Sequence, residues 1–192
     1  MDAARRELAA EIHKAASEHD AAQADRLDRY RILEPETAEL LAVLVRATGA
    51  RRLLELGTSI GYSTIWLADA AEAVGGTLVS VELDPERSAT ARANLERARL
   101  TADLRVGDAG EALRAGSDES WDLIFLDAER PAYAGYWPDV LRTLAPGGLV
   151  AVDNVISHAG QVEEILALMA AEPAVTSTQV PIGAGLQLAV KR

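Results

Sequence analysis

Six acid or amide side chains stand where apolar runs give way to turns: Glu55, Glu82, Asp108, Asp127, Asp153 and Asn154. The run Leu53-Leu54-Glu55-Leu56 leads directly into Gly57-Thr58-Ser59-Ile60-Gly61-Tyr62-Ser63-Thr64, a glycine turn that lets backbone approach a ligand closely. A dinucleotide site would carry Gly-x-Gly-x-x-Gly there, with a pyrophosphate on the helix N-terminus. This chain has Gly57 and Gly61 without that triplet, and Glu55 repels a pyrophosphate while suiting a cation such as an amino-acid-bearing sulfonium. Taken alone, Glu55 reads equally as a helix cap or loop acid. Glu82, in Val81-Glu82-Leu83-Asp84-Pro85, has the chemistry to accept both hydroxyls of a ribose. Val106-Gly107-Asp108-Ala109 offers a third contact, to an adenine.

Asp127 closes the run Leu123-Ile124-Phe125-Leu126, and Asp153-Asn154 closes Leu149-Val150-Ala151-Val152. Three oxygen ligands without His or Cys suit a hard cation such as Mg²⁺ or Ca²⁺. Asp and Asn are also favoured helix caps at strand-to-helix junctions, so spacing alone leaves both readings open. His158 follows four residues after Asn154; its imidazole has the intrinsic pKa of a general base, and equally it is a loop histidine without a role.

These residues need a scaffold that brings strand ends together. Arg51 to Leu56, Thr77 to Glu82, Ala102 to Val106, Trp121 to Asp127 and Gly148 to Asp153 read as strands, each followed by a turn and a helical stretch. Repeated β-then-α units predict an α/β fold, a doubly wound, mostly parallel sheet whose binding crevice lies at the carboxyl ends of its strands. Ala174 to Val180 and Leu186 to Val190 are separated by Pro181-Ile182-Gly183-Ala184-Gly185, too short for a helix, and predict an antiparallel hairpin that brings the sheet to seven strands. A helix is expected from Glu34-Pro35 to Gly49. Residues 1–33 read as an N-terminal helical arm with a sparse apolar stripe, packing on the domain or a second subunit rather than touching substrate; residues 34–192 form the main domain.

The chain of 192 residues carries 19 Lys plus Arg against 30 acids, a formal charge of -11, which disfavours nucleic acid and favours a small-molecule partner. The absence of cysteine excludes disulfides and thiolate chemistry. No apolar run approaches the roughly 20 residues of a membrane span, and the charged beginning of the chain is unlike a signal peptide, so a cytoplasmic location without membrane attachment is expected.

The stretches Glu55 to Ser63 and Val81 to Pro85 resemble the first two motifs of class I SAM-dependent methyltransferases. Gly-Tyr-Ser at the end of the first is similar to the cation-dependent O-methyltransferases that include the catechol and caffeoyl-CoA enzymes. Phe125-Leu126-Asp127-Ala128 and Val152-Asp153-Asn154-Val155 match that branch's metal motifs. The resemblance implies that Gly57, Thr58, Ser59, Tyr62 and Ser63 surround the methionine part of SAM, with Glu55, Gly61 and Asp127 completing the cofactor site. It further implies Glu82 at the ribose, Leu83, Asp108 and Ala109 at the adenine, and Asp127, Asp153 and Asn154 on a divalent cation, Mg²⁺. Relatives are often dimers, which implies a homodimer.

Two departures matter. The family's Lys three residues after the first ligand Asp, its base, is here Arg130, which takes no proton and reads either as a charge that stabilises an oxyanion or as a solvated surface residue; the chain's only lysines are Lys14 and Lys191. The segment after Asn154 is shorter than in the family, and Glu129 and His158 replace apolar residues, pointing to a more polar or larger acceptor. The leading expectation is a cation-assisted O-methyltransferase of a small, aromatic hydroxyl compound, with Asp127, Arg130 and His158 as catalytic candidates. The alternatives are a metal-independent methyltransferase, a SAM-binding protein without catalysis and, more remotely, a dehydrogenase.

Overall fold

A computed structural model describes residues 1–192, the side chain of Arg26 excepted. The elements are α1 (Ala3–Ala22), α2 (Pro35–Thr48), β1 (Arg52–Leu56), α3 (Tyr62–Val74), β2 (Thr77–Glu82), α4 (Pro85–Ala98), β3 (Asp103–Val106) and α5 (Ala109–Ala115), followed by β4 (Trp121–Leu126), α6 (Tyr133–Thr143), β5 (Leu144–Val152), α7 (Ala159–Ala171), β6 (Val175–Val180) and β7 (Leu186–Lys191). Short 3-10 turns occupy Arg26–Asp28 and Arg130–Ala132.

The seven strands lie in the order β3-β2-β1-β4-β5-β7-β6. The pairs from β3 to β5 are parallel, whereas β7 enters antiparallel to both β5 and β6. The expected α/β sheet and C-terminal hairpin are both present, and β7 rather than β6 takes the place beside β5. The order reverses between β1 and β4, so their carboxyl ends part and open a crevice. β5 starts at Leu144, earlier than the expected Gly148, because Trp121 pairs with Leu144 before a register shift across the Pro146-Gly147-Gly148 bend.

Helices cover both faces, so the central strands are apolar on both sides: Leu53, Leu56, Leu123, Ile124, Phe125, Leu126, Val150, Ala151 and Val152 are fully buried. Leu53 packs with α2 and α3 residues in one layer and Leu54 with α6 and α7 residues in the other, the period of two that a strand imposes. Turn chemistry sets the helix starts. Asp84 and Asp108 accept backbone N–H bonds from the first turns of α4 and α5, and Gly49 ends α2 in the left-handed conformation. α1 buries Ala9, Ile12 and Ala16 in the same core as α2 and α3, so the arm is packed on the domain. No helix among the described residues is long and apolar enough to cross a membrane.

Candidate functional site

A cavity of about 640 Å³ opens at the carboxyl ends of β1, β2, β3, β4 and β5. Its first end is the glycine turn. Gly57 takes φ +106, and a Cβ there would run into the Asp127 backbone carbonyl, so only glycine lets the two strand ends close on each other. Gly57 N–H bonds Val81 O at 2.9 Å and Asp127 N–H bonds Leu56 O at 2.9 Å, tying the turns after β1 and β4 to neighbouring strands. Thr58, Ser59, Tyr62 and Ser63 line the wall above. The carboxylate of Glu82 accepts the Ser59 N–H at 2.7 Å and the Asp84 N–H at 3.0 Å. That leaves about two of its four acceptor positions for the cavity. Leu83, exposed and apolar, and the pair Asp108 and Ala109 complete this end; Asp108 also caps α5 through Glu111 N–H at 2.9 Å.

Glu55 and Gly61 stand elsewhere than expected. Glu55 is fully buried beneath the turn, where Ser63 Oγ, Thr64 Oγ1 and Ser80 Oγ donate to its carboxylate at 2.5, 2.6 and 2.5 Å. Ser80 is its register partner on β2 and shares a further 2.5 Å bond with Thr58 Oγ1. Glu55 therefore buttresses the turn from below instead of lining the cavity. Burial raises its carboxyl to about 7 although the three hydroxyls pull the other way. Gly61, at φ +85, abuts Ala91 of α4, so its role is close helix packing.

At the other end, Asp127, Asp153 and Asn154 converge. Asn154 Nδ2 donates to Asp153 Oδ2 at 2.7 Å and to Asp127 Oδ1 at 3.2 Å. Asn154 adopts φ +68, a left-handed conformation that asparagine tolerates and that turns its amide back toward the acids. Asp153 Oδ1 is buried without a hydrogen-bond partner. Desolvation raises the Asp127 carboxyl well above its ordinary range and the Asp153 charge raises it further; desolvation also raises Asp153. None of the three caps a helix: α7 is preceded by His158, which makes no side-chain cap bond. The amide nitrogen of Asn154, rather than the expected oxygen, faces the acids, because two close carboxylates attract a donor.

Arg130 is buried in the cavity wall, its Nε on Gln161 Oε1 at 2.8 Å, and its charge opposes the rise at both acids. Tyr133 OH bonds Ala128 O at 3.1 Å and fixes the turn that carries Asp127. His158 lies at the mouth, its Nδ1 2.9 Å from Ser157 Oγ, which bonds Asn154 Oδ1 at 3.3 Å.

The family model described as O-methyltransferase matches residues 6–192 of this sequence. The chain belongs to the O-methyltransferase family. It is 38% identical over 137 residues, 69% of this chain, to a catechol O-methyltransferase of Niastella koreensis, covering 62% of that protein. It is 35% identical over 147 residues, 76% of this chain, to a catechol O-methyltransferase of Mycobacterium tuberculosis, covering 64% of that protein. The chain thus spans less than two thirds of the length of either relative. The crystal structure of the O-methyltransferase from Bacillus cereus in complex with SAH superposes with a TM-score of 0.80 at 29% identity, covering 100% of this chain and 92% of that one.

The match to the O-methyltransferase family begins at residue 6 and so takes in most of α1. The arm also does more than pack. After α1 it crosses the cavity mouth, and Leu27, Arg29, Tyr30, Arg31, Ile32, Leu33 and Glu34 line it. Asp20 accepts the N–H groups of Tyr30 and Arg31 at 2.7 and 2.8 Å, and Ser59 Oγ donates to Tyr30 O at 2.8 Å. Arg87 Nη2 donates to Leu27 O and Arg29 O at 2.6 and 3.0 Å. Nothing in the local sequence of this strap carries a motif; only the single Asp20, ten and eleven residues before its partners, hints at the clamp.

Proposed function

We propose that this chain transfers the methyl group of SAM to a hydroxyl oxygen of a small, aromatic acceptor, with a divalent cation held by Asp127, Asp153 and Asn154. The observation that carries the reading is the buried, partnerless Oδ1 of Asp153 beside a second carboxylate, at the end of a cavity whose other end is the glycine turn and Glu82. Two close acids, one with an unmet oxygen, favour a cation beside them, and an all-oxygen donor set suits a hard one such as Mg²⁺. Asn154 would join them by turning its amide to present Oδ1.

Methyl transfer from a sulfonium needs an oxygen aligned behind the methyl and freed of its proton. A divalent cation held by the acid pair would supply the second need, since coordination lowers the pKa of a phenol from its ordinary value of about 10. The chain supplies the rest. Glu82 and the turn from Gly57 to Ser63 hold the nucleoside and its amino-acid part, and Leu83 offers an apolar edge to the adenine. Arg130, which keeps its proton, places a fixed positive charge beside the oxygen as it becomes anionic. His158 Nδ1 bonds Ser157 Oγ, which donates to Asn154 Oδ1, so the ring stands at the mouth and helps orient that amide. Assays with SAM and a panel of vicinal diols, with and without chelator, test the reading. Product that vanishes on chelation and returns with Mg²⁺ is expected; product indifferent to chelator would remove the cation from it, and binding of SAM without product on any diol would remove the transfer.

A further inference from the structure

We propose that Arg31 determines acceptor specificity by binding a carboxylate carried by the acceptor; the proposal rests on the acceptor reading above. Two guanidinium groups border the acceptor end from different elements, Arg31 on the strap and Arg130 on the turn after β4. Arg31 reaches Glu129, two residues beyond Asp127, which sets its guanidinium at that end of the cavity.

The other cavity arginines are committed to the strap itself. Arg29 donates to Gln23 O at 3.2 and 2.9 Å, and Arg87 to Leu27 O and Arg29 O. Arg31 is different. Its Nε–H is buried without an acceptor, and its Nη1 and Nη2 reach exposed Glu129 Oε1 at only 3.4 and 3.3 Å. A planar fork with one edge unmet is completed by a carboxylate with two oxygens, whereas a neutral acceptor leaves the buried donor unmatched. Selectivity then comes from the penalty as much as from the bond.

The backbone is built to hold that fork. Arg31 takes φ +52, a conformation seldom adopted by residues other than glycine, asparagine and aspartate. Asp20 compensates by accepting both Tyr30 and Arg31 N–H groups, and the His19 ring stacks on Tyr30 at 4.0 Å. Strain maintained by this many contacts at a cavity residue marks a direction the side chain must keep.

The test is calorimetric titration of the full chain, in the presence of SAH and magnesium, with a dihydroxybenzoate bearing vicinal hydroxyls and with the matching dihydroxybenzamide. The benzoate is expected to bind about tenfold or more tightly than the amide, as for a charge-assisted pair. Arg31→Gln should bring that ratio near one, and Arg31→Lys, which keeps the charge but loses the fork, should leave it between. A ratio near one in the unaltered chain, absence of benzoate binding, or a ratio that survives Arg31→Gln overturns the proposal. So does a fall in SAH affinity with the ratio intact, which would assign the fork to the cosubstrate's own carboxylate. Because the readout is binding, failure of methyl transfer to every diol would sink the proposed function and leave this ratio to be judged separately.

Discussion

The two ends of the cavity treat buried carboxylates in opposite ways. Under the glycine turn, Glu55 meets three hydroxyls from α3 and β2, so the fold satisfies that buried acid by itself. Between β4 and β5, Asp127 and Asp153 share a single amide, and one oxygen of Asp153 receives nothing. A satisfied acid fixes backbone geometry; an unsatisfied pair stores a demand for positive charge that a ligand can meet.

The sharpest way to break this contrast is Asp153→Asn. Methyl transfer should fall by about 10²-fold or more if a cation supplies several kcal/mol of charge stabilisation. Without cation, the same change should raise the melting temperature, because a buried unmet charge is removed. The melting shift produced by added Mg²⁺ should disappear with it. A variant that melts lower and retains activity would show that the two ends do not differ.

Glu55→Ala probes the opposite end and should cost about 2–4 kcal/mol of stability, read by urea unfolding, since three hydroxyls lose their acceptor at a buried site. A loss confined to SAM affinity would instead make Glu55 a ligand contact.

The pH dependence sharpens the same point. Glu55 rises from 4.5 to about 7 on folding, so the folded chain binds its proton more tightly than the unfolded one. The contribution to stability is therefore greatest below about pH 4.5, declines as pH rises toward about 7, and is level beyond, a span on the order of 3 kcal/mol. Glu55→Gln should flatten that part of the stability profile; an unchanged slope would place the titration elsewhere.

Smaller effects test the strap and the mouth. Ser59→Ala removes the bond to Tyr30 O and should cost about 1 kcal/mol and weaken SAM binding more than it slows turnover. His158→Gln should lower turnover by less than about threefold, under 1 kcal/mol, because Ser157 and Asn154 link its Nδ1 to the acids. A loss of two orders of magnitude would make His158 a catalytic base.

Legibility in the sequence followed the range over which each feature is set. Periodicity and turn residues revealed the alternating strands and helices, the hairpin around Pro181 to Gly185, and the acids at strand ends, since these depend on neighbours within a few positions. The direction of Glu55 was not legible. Strand parity says only that it shares a face with Leu53; the pairing with β2 that sets Ser80 beside it is a matter of register. Arg31 was missed for the same reason: its place in the cavity depends on a clamp by Asp20 and on the path of a strap without a motif.

The sequence by itself determined the order of the elements, the positions of the acids and the lack of a proton-accepting residue at Arg130, because these follow from local pattern and side-chain chemistry. Tertiary structure alone decided which acids would have their hydrogen bonds met, which would keep a buried oxygen without a partner, and that Arg31 of the arm would line the cavity. Burial and register set the hydrogen-bond partners of a side chain, and both come from residues distant in the chain.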